Sequence, residues 1–176
     1  MTTITKISIF NALAKAFQMM LTFFLAIHFV NIGFSGTEIG IIFSVYSIVS
    51  ILTILPSGIS NDRLKSKNLI ALSLLLLAAQ FFALSQTHHF PMIAIFFLIG
   101  GIGRTIYNTS VQSFFFKSGQ VEQASKNIGI FQGFNYLAMG LGMIIAGTLL
   151  DLDYSFETLF RITGFLYLIM AVIALI

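Results

Sequence analysis

The sequence is poor in charge and contains no cysteine. Only 9% of its 176 residues are charged, against roughly 25% in an ordinary soluble domain. A soluble domain of this size needs a polar shell, and so few charges cannot form one. The lack of cysteine excludes disulfides, thiol chemistry and cysteine-based metal sites. A membrane protein remains, and the 57% content of hydrophobic residues favours that class.

Catalytic and nucleic-acid-binding patterns are also missing. The sequence has no Walker loop, no His-Glu-x-x-His motif and no nucleophile elbow. The net charge of +3 comes from lysines and arginines scattered among apolar runs, which does not make a nucleic-acid-binding surface. We therefore expect no enzyme, no nucleic-acid partner and no bound cofactor, while proton coupling remains an open alternative.

Long apolar runs fill most of the chain. A membrane-spanning helix needs about 20 mostly apolar residues, and helices satisfy the backbone where water is absent. The runs predict an all-α, polytopic membrane protein in which residues 1–176 form a single domain. The first run is long and contains Lys15, so we expect it to be retained rather than cleaved as a signal peptide. The six predicted spans are residues 8–30, 38–57, 69–86, 91–114, 128–150 and 158–176.

The ends of several spans carry cap and turn residues. Ser35 and Glu38 have the spacing of a capping box that opens the second span. Pro56 and Gly58 are predicted to close the same span. Pro91 is predicted to start the fourth span, where its missing N–H has no consequence.

Basic residues sort to one side if the spans alternate in direction. The positive-inside rule then places both termini in the cytoplasm of a cell that holds the protein in its cell membrane. His28 is predicted to be interfacial, and His88 and His89, which lie in an opposite link, are predicted to be solvated. The sorted basic residues are Lys6, Arg63, Lys65, Lys67, Lys117 and Lys126.

Two spans carry polar residues at helical spacing, although a charge in the bilayer centre costs roughly 2.5–3.5 kcal/mol. One interpretation is that these faces form the wall of a central cavity for a solute. The alternative is that Lys15 and Arg104 extend toward the membrane interface. The face on the first span consists of Asn11, Lys15, Gln18 and Thr22. The face on the fourth span consists of Gly100, Arg104, Tyr107, Asn108 and, at its edge, Gln112.

The link between the second and third spans resembles a signature of the major facilitator superfamily of secondary transporters. That signature runs roughly Gly-x-Leu-Ala-Asp-Arg-x-Gly-Arg-Lys, and Lys65 and Ser66 depart from it. The resemblance covers the whole chain, as the amino-terminal six-span half of a family member. It implies a gating link in which Gly58 makes a tight turn and Asp62 latches onto a second half. The matching residues are Gly58, Asp62, Arg63 and Lys67.

A second signature of the same family, in the fifth span, is present in part. Met143 replaces its proline, which weakens the likeness to drug–proton antiporters. An alternative interpretation is close helix packing through small residues at this spacing. The small residues are Gly129, Ala138, Gly142, Ala146 and Gly147.

The resemblance implies a secondary active transporter, or its amino-terminal half, that moves a small solute by alternating access. The alternative is a non-transporting assembly module or an inactive remnant. The apolar stretch 171–176 has no basic anchor, so we expect a chain cut before a second half. A homodimer of six-span halves is the competing account. The expected partners are the lipid bilayer, a small-molecule solute and a second six-span half.

Overall fold

The fold is an array of long helices. A computed structural model of the protein describes residues 3–118 and 124–175, and these residues contain no strand. Six helical segments, with α1 and α2 counted together, are long and apolar enough to cross a membrane. The predicted all-α class with six spans is therefore confirmed. The helices are α1 (Thr3–Thr22), α2 (Leu25–Asn31), α3 (Gly36–Arg63), α4 (Ser66–Leu84), α5 (Phe90–Ser118), α6 (Ala124–Asp151) and α7 (Phe156–Leu175).

The second span continues beyond its predicted end. Pro56 and Gly58 lie inside α3, and Gly58 lacks the positive φ of a tight turn. A proline removes a single backbone hydrogen bond, and in lipid the helix continues because no water can replace the others. The predicted turn at Gly58 is therefore wrong, and only residues 64–65 separate α3 from α4.

The first span is interrupted, although one continuous helix was predicted over residues 8–30. Helix α1 ends at Thr22, and α2 begins at Leu25. Between them the N–H of Phe24 donates to the carbonyl of Leu21 at 2.9 Å, as in a turn. Neither proline nor glycine occurs at the break, so no local signal marks it.

The predicted helix starts agree with the structure. The side chain of Ser35 accepts a hydrogen bond from the N–H of Glu38 at 3.3 Å. The carboxylate of Glu38 accepts from the N–H of Ser35 at 2.8 Å, which completes the capping box. Pro91 lies in the first turn of α5, where the helix needs no N–H from it.

Helix α4 is the most buried span, and α3 and α6 are the most exposed. In the most apolar stretch of each helix, 56% of α4 is buried, against 6% of α3 and 17% of α6. Helix α4 packs against α5 and α7, α1 packs along α6, and α3 packs along α5. The first span thus pairs with the fifth, and the fourth span pairs with the second. This correspondence is expected if spans one to three and spans four to six are two three-helix repeats.

Different side chains join the helices at the two ends of the array. At one end, the ammonium of Lys117 donates to the backbone carbonyl of Asn61 at 3.1 Å. At the other, Nε2 of His88 lies 3.1 Å from a carboxylate oxygen of Glu157. His88, which was predicted to be solvated, is 54% exposed and also pairs with Glu157. His28, predicted to be interfacial, is buried with its ring centroid 4.6 Å from that of Phe156.

Candidate functional site

The polar faces of α1 and α5 meet inside the bundle. The ammonium of Lys15 donates to the side-chain oxygen of Asn108 at 2.9 Å. Thr22, at the end of α1, bonds its own helix, since its hydroxyl donates to the backbone carbonyl of Gln18 at 2.7 Å. The helical spacing of the two faces therefore produces contacts between helices that are far apart in the sequence.

Three polar residues from three helices form the Asn11 cluster, which comprises Asn11, Tyr107 and Asn135. The amide nitrogen of Asn11 donates to the side-chain oxygen of Asn135 at 2.8 Å. The amide oxygen of Asn11 accepts from the hydroxyl of Tyr107 at 3.0 Å. All three side chains are buried, with exposed fractions of 2%, 3% and 5% in the order given. The cluster therefore joins α1, α5 and α6 by buried and mutually satisfied groups.

A second group, the Arg104 cluster, comprises Arg104, Gln18 and Tyr46. The guanidinium of Arg104 donates to the hydroxyl of Tyr46 at 2.9 Å and lies 5.7 Å from the centre of its ring. When the amide oxygen of Gln18 faces Arg104, it lies 2.8 Å from Nη1 and 3.0 Å from Nη2. The cluster joins α1, α3 and α5.

The Arg104 cluster borders a central cavity of about 190 Å³. The cationic and amide groups line one part of this cavity, and aromatic and aliphatic side chains line the rest. Such a combination of apolar walls and a few convergent polar groups is typical of small-molecule sites. The lining residues are Gln18, Thr22, Leu25, Phe43, Tyr46, Leu77, Gln80, Phe81, Phe97, Arg104 and Tyr167.

Gln80 brings a polar group from α4 to the same cavity. Its side chain is 5% exposed, and within the described residues no group forms a hydrogen bond with its amide. Gly100 of α5 leaves the space for this amide, because a Cβ at that position would overlap it. A buried amide without a partner is costly, so its presence at a cavity wall is best accounted for by a ligand or water.

A side cavity of about 280 Å³ lies beside the Asn11 cluster. It is lined in large part by polar residues of α1, α5 and α6, among them Asn11, Lys15, Asn108 and Gln112. Seven of the eight residues predicted for a cavity wall thus divide between two cavities, with Gln18, Thr22 and Arg104 lining the central one. The eighth, Tyr107, lines neither cavity and is buried within the Asn11 cluster.

A comparison with known protein families identifies the origin of this architecture. The sequence model of the Major Facilitator Superfamily matches residues 7–176. The chain belongs to this superfamily. A search of the curated proteins found no match. The superfamily consists of transporters rather than enzymes, so the general function of the chain is of the transporter type.

Among residues 3–118 and 124–175, the cations Lys15 and Arg104 have no acidic partner inside the bundle. No salt bridge between described residues involves Lys15 or Arg104. The five acidic residues in the described part of the chain lie at or near helix ends or in links, outside the middle of any span. They are Glu38, Asp62, Asp151, Asp153 and Glu157. Neutral oxygens of amide and hydroxyl groups are therefore the acceptors for both charges.

The residues assigned to the gating link lie at the ends of two helices rather than in a loop. Asp62 and Arg63 are exposed in the last turn of α3, and Lys67 is exposed in the first turn of α4. The adjacent Asn61 is 3% exposed, and its amide donates to the backbone carbonyl of Ser57 at 2.8 Å. The buried anchor of this link is thus a residue that the signature does not include.

The small residues of α6 differ in their surroundings. Gly142 lies directly on the backbone of Ala16, because a Cβ at position 142 would overlap that backbone. Gly147 is near the ring of Phe24, and Ala146 is fully buried. Gly129 has open space around it instead, and Ala138 is half-buried. Close approach of α1 and α6 is therefore concentrated around Gly142.

Sequence reasoning missed three polar residues that complete the two clusters and the cavity wall. Asn135 is a buried amide in α6, and Gln80 is a buried amide in the apolar helix α4. An amide inside an otherwise apolar span is a signal that could have identified both. Tyr46 gave no comparable signal, because tyrosine occurs both in apolar surroundings and at their boundary.

Proposed function

We propose that the chain is the amino-terminal half of a secondary active transporter that moves a small solute across the cell membrane by alternating access. The observation that carries this proposal is the central cavity with its polar cluster inside a bundle of membrane-spanning helices. In transporters of this type, two six-span halves rock about a site near the bilayer midplane. Membership of the superfamily supports the same mechanism.

The exposed helices α3 and α6 support pairing with a second six-span half. Helix α3 lines part of the central cavity and α6 part of the side cavity, and both bury little of their own apolar surface in this half. Asp62 supports the same pairing, since an exposed carboxylate at the carboxy-terminal end of a helix is unfavourably placed there. A basic group or a helix amino terminus of the second half would stabilise it. The second half is either a downstream segment or another copy of the chain.

The proposal includes an orientation with both termini in the cytoplasm. The end of the bundle that carries Lys6, Lys67 and Lys117 then faces the cytoplasm, in accordance with the positive-inside rule. The end that carries His88 and Glu157 faces outward. This assignment makes the short link at residues 64–65 cytoplasmic and the link at residues 85–89 external.

Cysteine accessibility in the protein as cells produce it tests the proposal. Thr22→Cys places a thiol at the wall of the central cavity. Alternating access predicts labelling by a membrane-impermeant maleimide both in intact cells and in inverted membrane vesicles. Labelling from one side only would support a non-transporting scaffold instead. The same labelling of the cysteine-free parent protein gives the background from any associated proteins.

Two control positions read the orientation in the same experiment. Asn68 and Gln86 are exposed at opposite ends of α4. We expect Asn68→Cys to react in inverted vesicles and Gln86→Cys to react in intact cells. The reverse result would contradict the orientation without affecting the test of alternating access.

A further inference from the structure

The hydrogen-bond inventory of the Arg104 cluster leaves donors in excess. A guanidinium carries five N–H donors and no acceptor. The acceptors that Arg104 finds are the hydroxyl of Tyr46 and, in one amide orientation, the oxygen of Gln18. Two acceptors cannot satisfy five donors, so the site lacks acceptor atoms.

Lys15 competes for one of these two acceptors. Its ammonium lies 3.4 Å from the amide of Gln18, as a donor when the oxygen faces Lys15. The same oxygen cannot face Arg104 at the same time. Gln18 therefore compensates one cation while its amide nitrogen, itself a donor, faces the other. The shortage of acceptors is a property of the pair and does not depend on the amide orientation.

The central cavity supplies space for the missing acceptor. A cavity of roughly 150 Å³ admits a benzene ring, so about 190 Å³ is enough for a ring-sized body with a small polar group. The cavity lies among side chains of six helices, α1 to α5 and α7. A free ligand of this size would fit there.

The walls also indicate the shape of the ligand. Phe43, Phe81 and Phe97 line the cavity together with Leu77, so most of a bound molecule would meet apolar surface. Gln80 offers an amide at the same wall that has no hydrogen-bond partner among the described residues. A carboxylate would supply the acceptors that Arg104 lacks, because its two oxygens match the planar fork of a guanidinium.

We propose that the central cavity binds a small organic carboxylate, with its carboxylate group on Arg104 and a compact apolar body against the phenylalanines. This inference rests on the proposed transport function, because it names the class of solute. Binding of a carboxylate can nevertheless be measured without measuring transport.

Benzoate and benzamide are suitable probes, because they share the ring and differ in charge. Isothermal titration calorimetry of the purified chain in lipid nanodiscs should show benzoate binding at least about tenfold tighter than benzamide binding. Arg104→Gln should weaken benzoate binding by about 10- to 100-fold, the range for a hydrogen bond to a charged group. Arg161→Gln is the matched control, since Arg161 is exposed on α7 and does not line the cavity.

Arg104→Lys keeps the charge and covers the case in which Arg104→Gln does not fold. A lysine loses the two-pronged geometry, so we expect an affinity between those of the wild type and Arg104→Gln. The proposal is overturned if the wild type fails to bind benzoate, if benzamide binds equally well, or if both Arg104 variants keep wild-type affinity. Benzoate binding as expected, together with one-sided labelling of Thr22→Cys, would leave the site in place and remove the transport function. Two-sided labelling without benzoate binding would do the opposite.

Discussion

The Asn11 cluster and the Arg104 cluster lie on the same two helices and differ in how well their polar groups are satisfied. In the Asn11 cluster, both ends of the Asn11 amide have a partner, and the three side chains are buried. In the Arg104 cluster, hydrogen-bond donors outnumber acceptors, and the cation borders a cavity. Buried and complete polar networks fix a structure, whereas incomplete ones leave a requirement that a ligand can meet.

The third helix decides between these two outcomes. Asn11 and Gln18 belong to one continuous polar face of α1, as Tyr107 and Arg104 belong to one face of α5. Helix α6 approaches closely at the Asn11 cluster and adds an amide of the right length. At the Arg104 cluster, α3 adds a single hydroxyl, and a cavity takes the place of further side chains. One amphipathic face can therefore provide a helix–helix contact at one position along the helix and a ligand site further along it.

The largest effect is expected from separating α1 and α6, which breaks the Asn11 cluster as a whole. Gly142→Ala places a methyl group against the backbone of Ala16, and backbone cannot move aside as a flexible side chain would. We expect a loss of about 2–3 kcal/mol in the free energy of unfolding. Unfolding of the detergent-solubilised protein by increasing amounts of sodium dodecyl sulfate measures it.

Gly140→Ala is the control for this prediction. It makes the same change in the same helix, but its Cβ meets open space. The control should unfold like the wild type or gain about 0.5–1 kcal/mol from the better helix propensity of alanine. Equal losses in both variants would show that α1 and α6 are not held by close contact at Gly142.

The class, the number of spans and the two polar faces could be predicted from the sequence, because each depends on a periodic or cumulative property. A low charge content and six apolar runs leave little choice of class, and helical spacing brings Lys15 and Gln18 to one face. Local signals were less reliable. Pro56 and Gly58 are breakers in water, but a bilayer favours continuing the helix.

The partners across helices could not be predicted in the same way. The sequence around Asn135 and Gln80 does not indicate which other helix each amide faces. Their roles depend on the approach of other helices, which Gly142 and Gly100 permit. The division of one polar face into two clusters is therefore a tertiary property.

An intermediate effect is expected from removing one member of the Asn11 cluster without moving the helices. Asn11→Leu keeps the approximate size and leaves the hydroxyl of Tyr107 and the amide oxygen of Asn135 without this partner. Interhelical hydrogen bonds in membranes contribute about 1–2 kcal/mol in model peptides, and we expect a loss of that size in the same unfolding experiment. Gln112→Leu, at an exposed position of α5, should change stability by less than about 0.5 kcal/mol. A stable Asn11→Leu variant would mean that the cluster does not hold α1 and α6 together.

The smallest effect on stability is expected at the residue with the largest expected effect on binding. Arg104→Leu removes a cation whose donors are only partly satisfied, and leucine is the cheaper residue inside a bilayer. The hydroxyl of Tyr46 and the amide of Gln18 lose a partner, but both border the cavity, where water can replace it. We therefore expect the free energy of unfolding of the ligand-free protein to stay unchanged or to rise by at most about 1 kcal/mol, as for sites that sacrifice stability to function. The unfolding midpoint of Arg104→Leu in sodium dodecyl sulfate, compared with that of Asn11→Leu, tests this expectation. If Arg104→Leu instead loses as much as Asn11→Leu, Arg104 is a structural link between α5 and α3, and the two clusters do not differ in role.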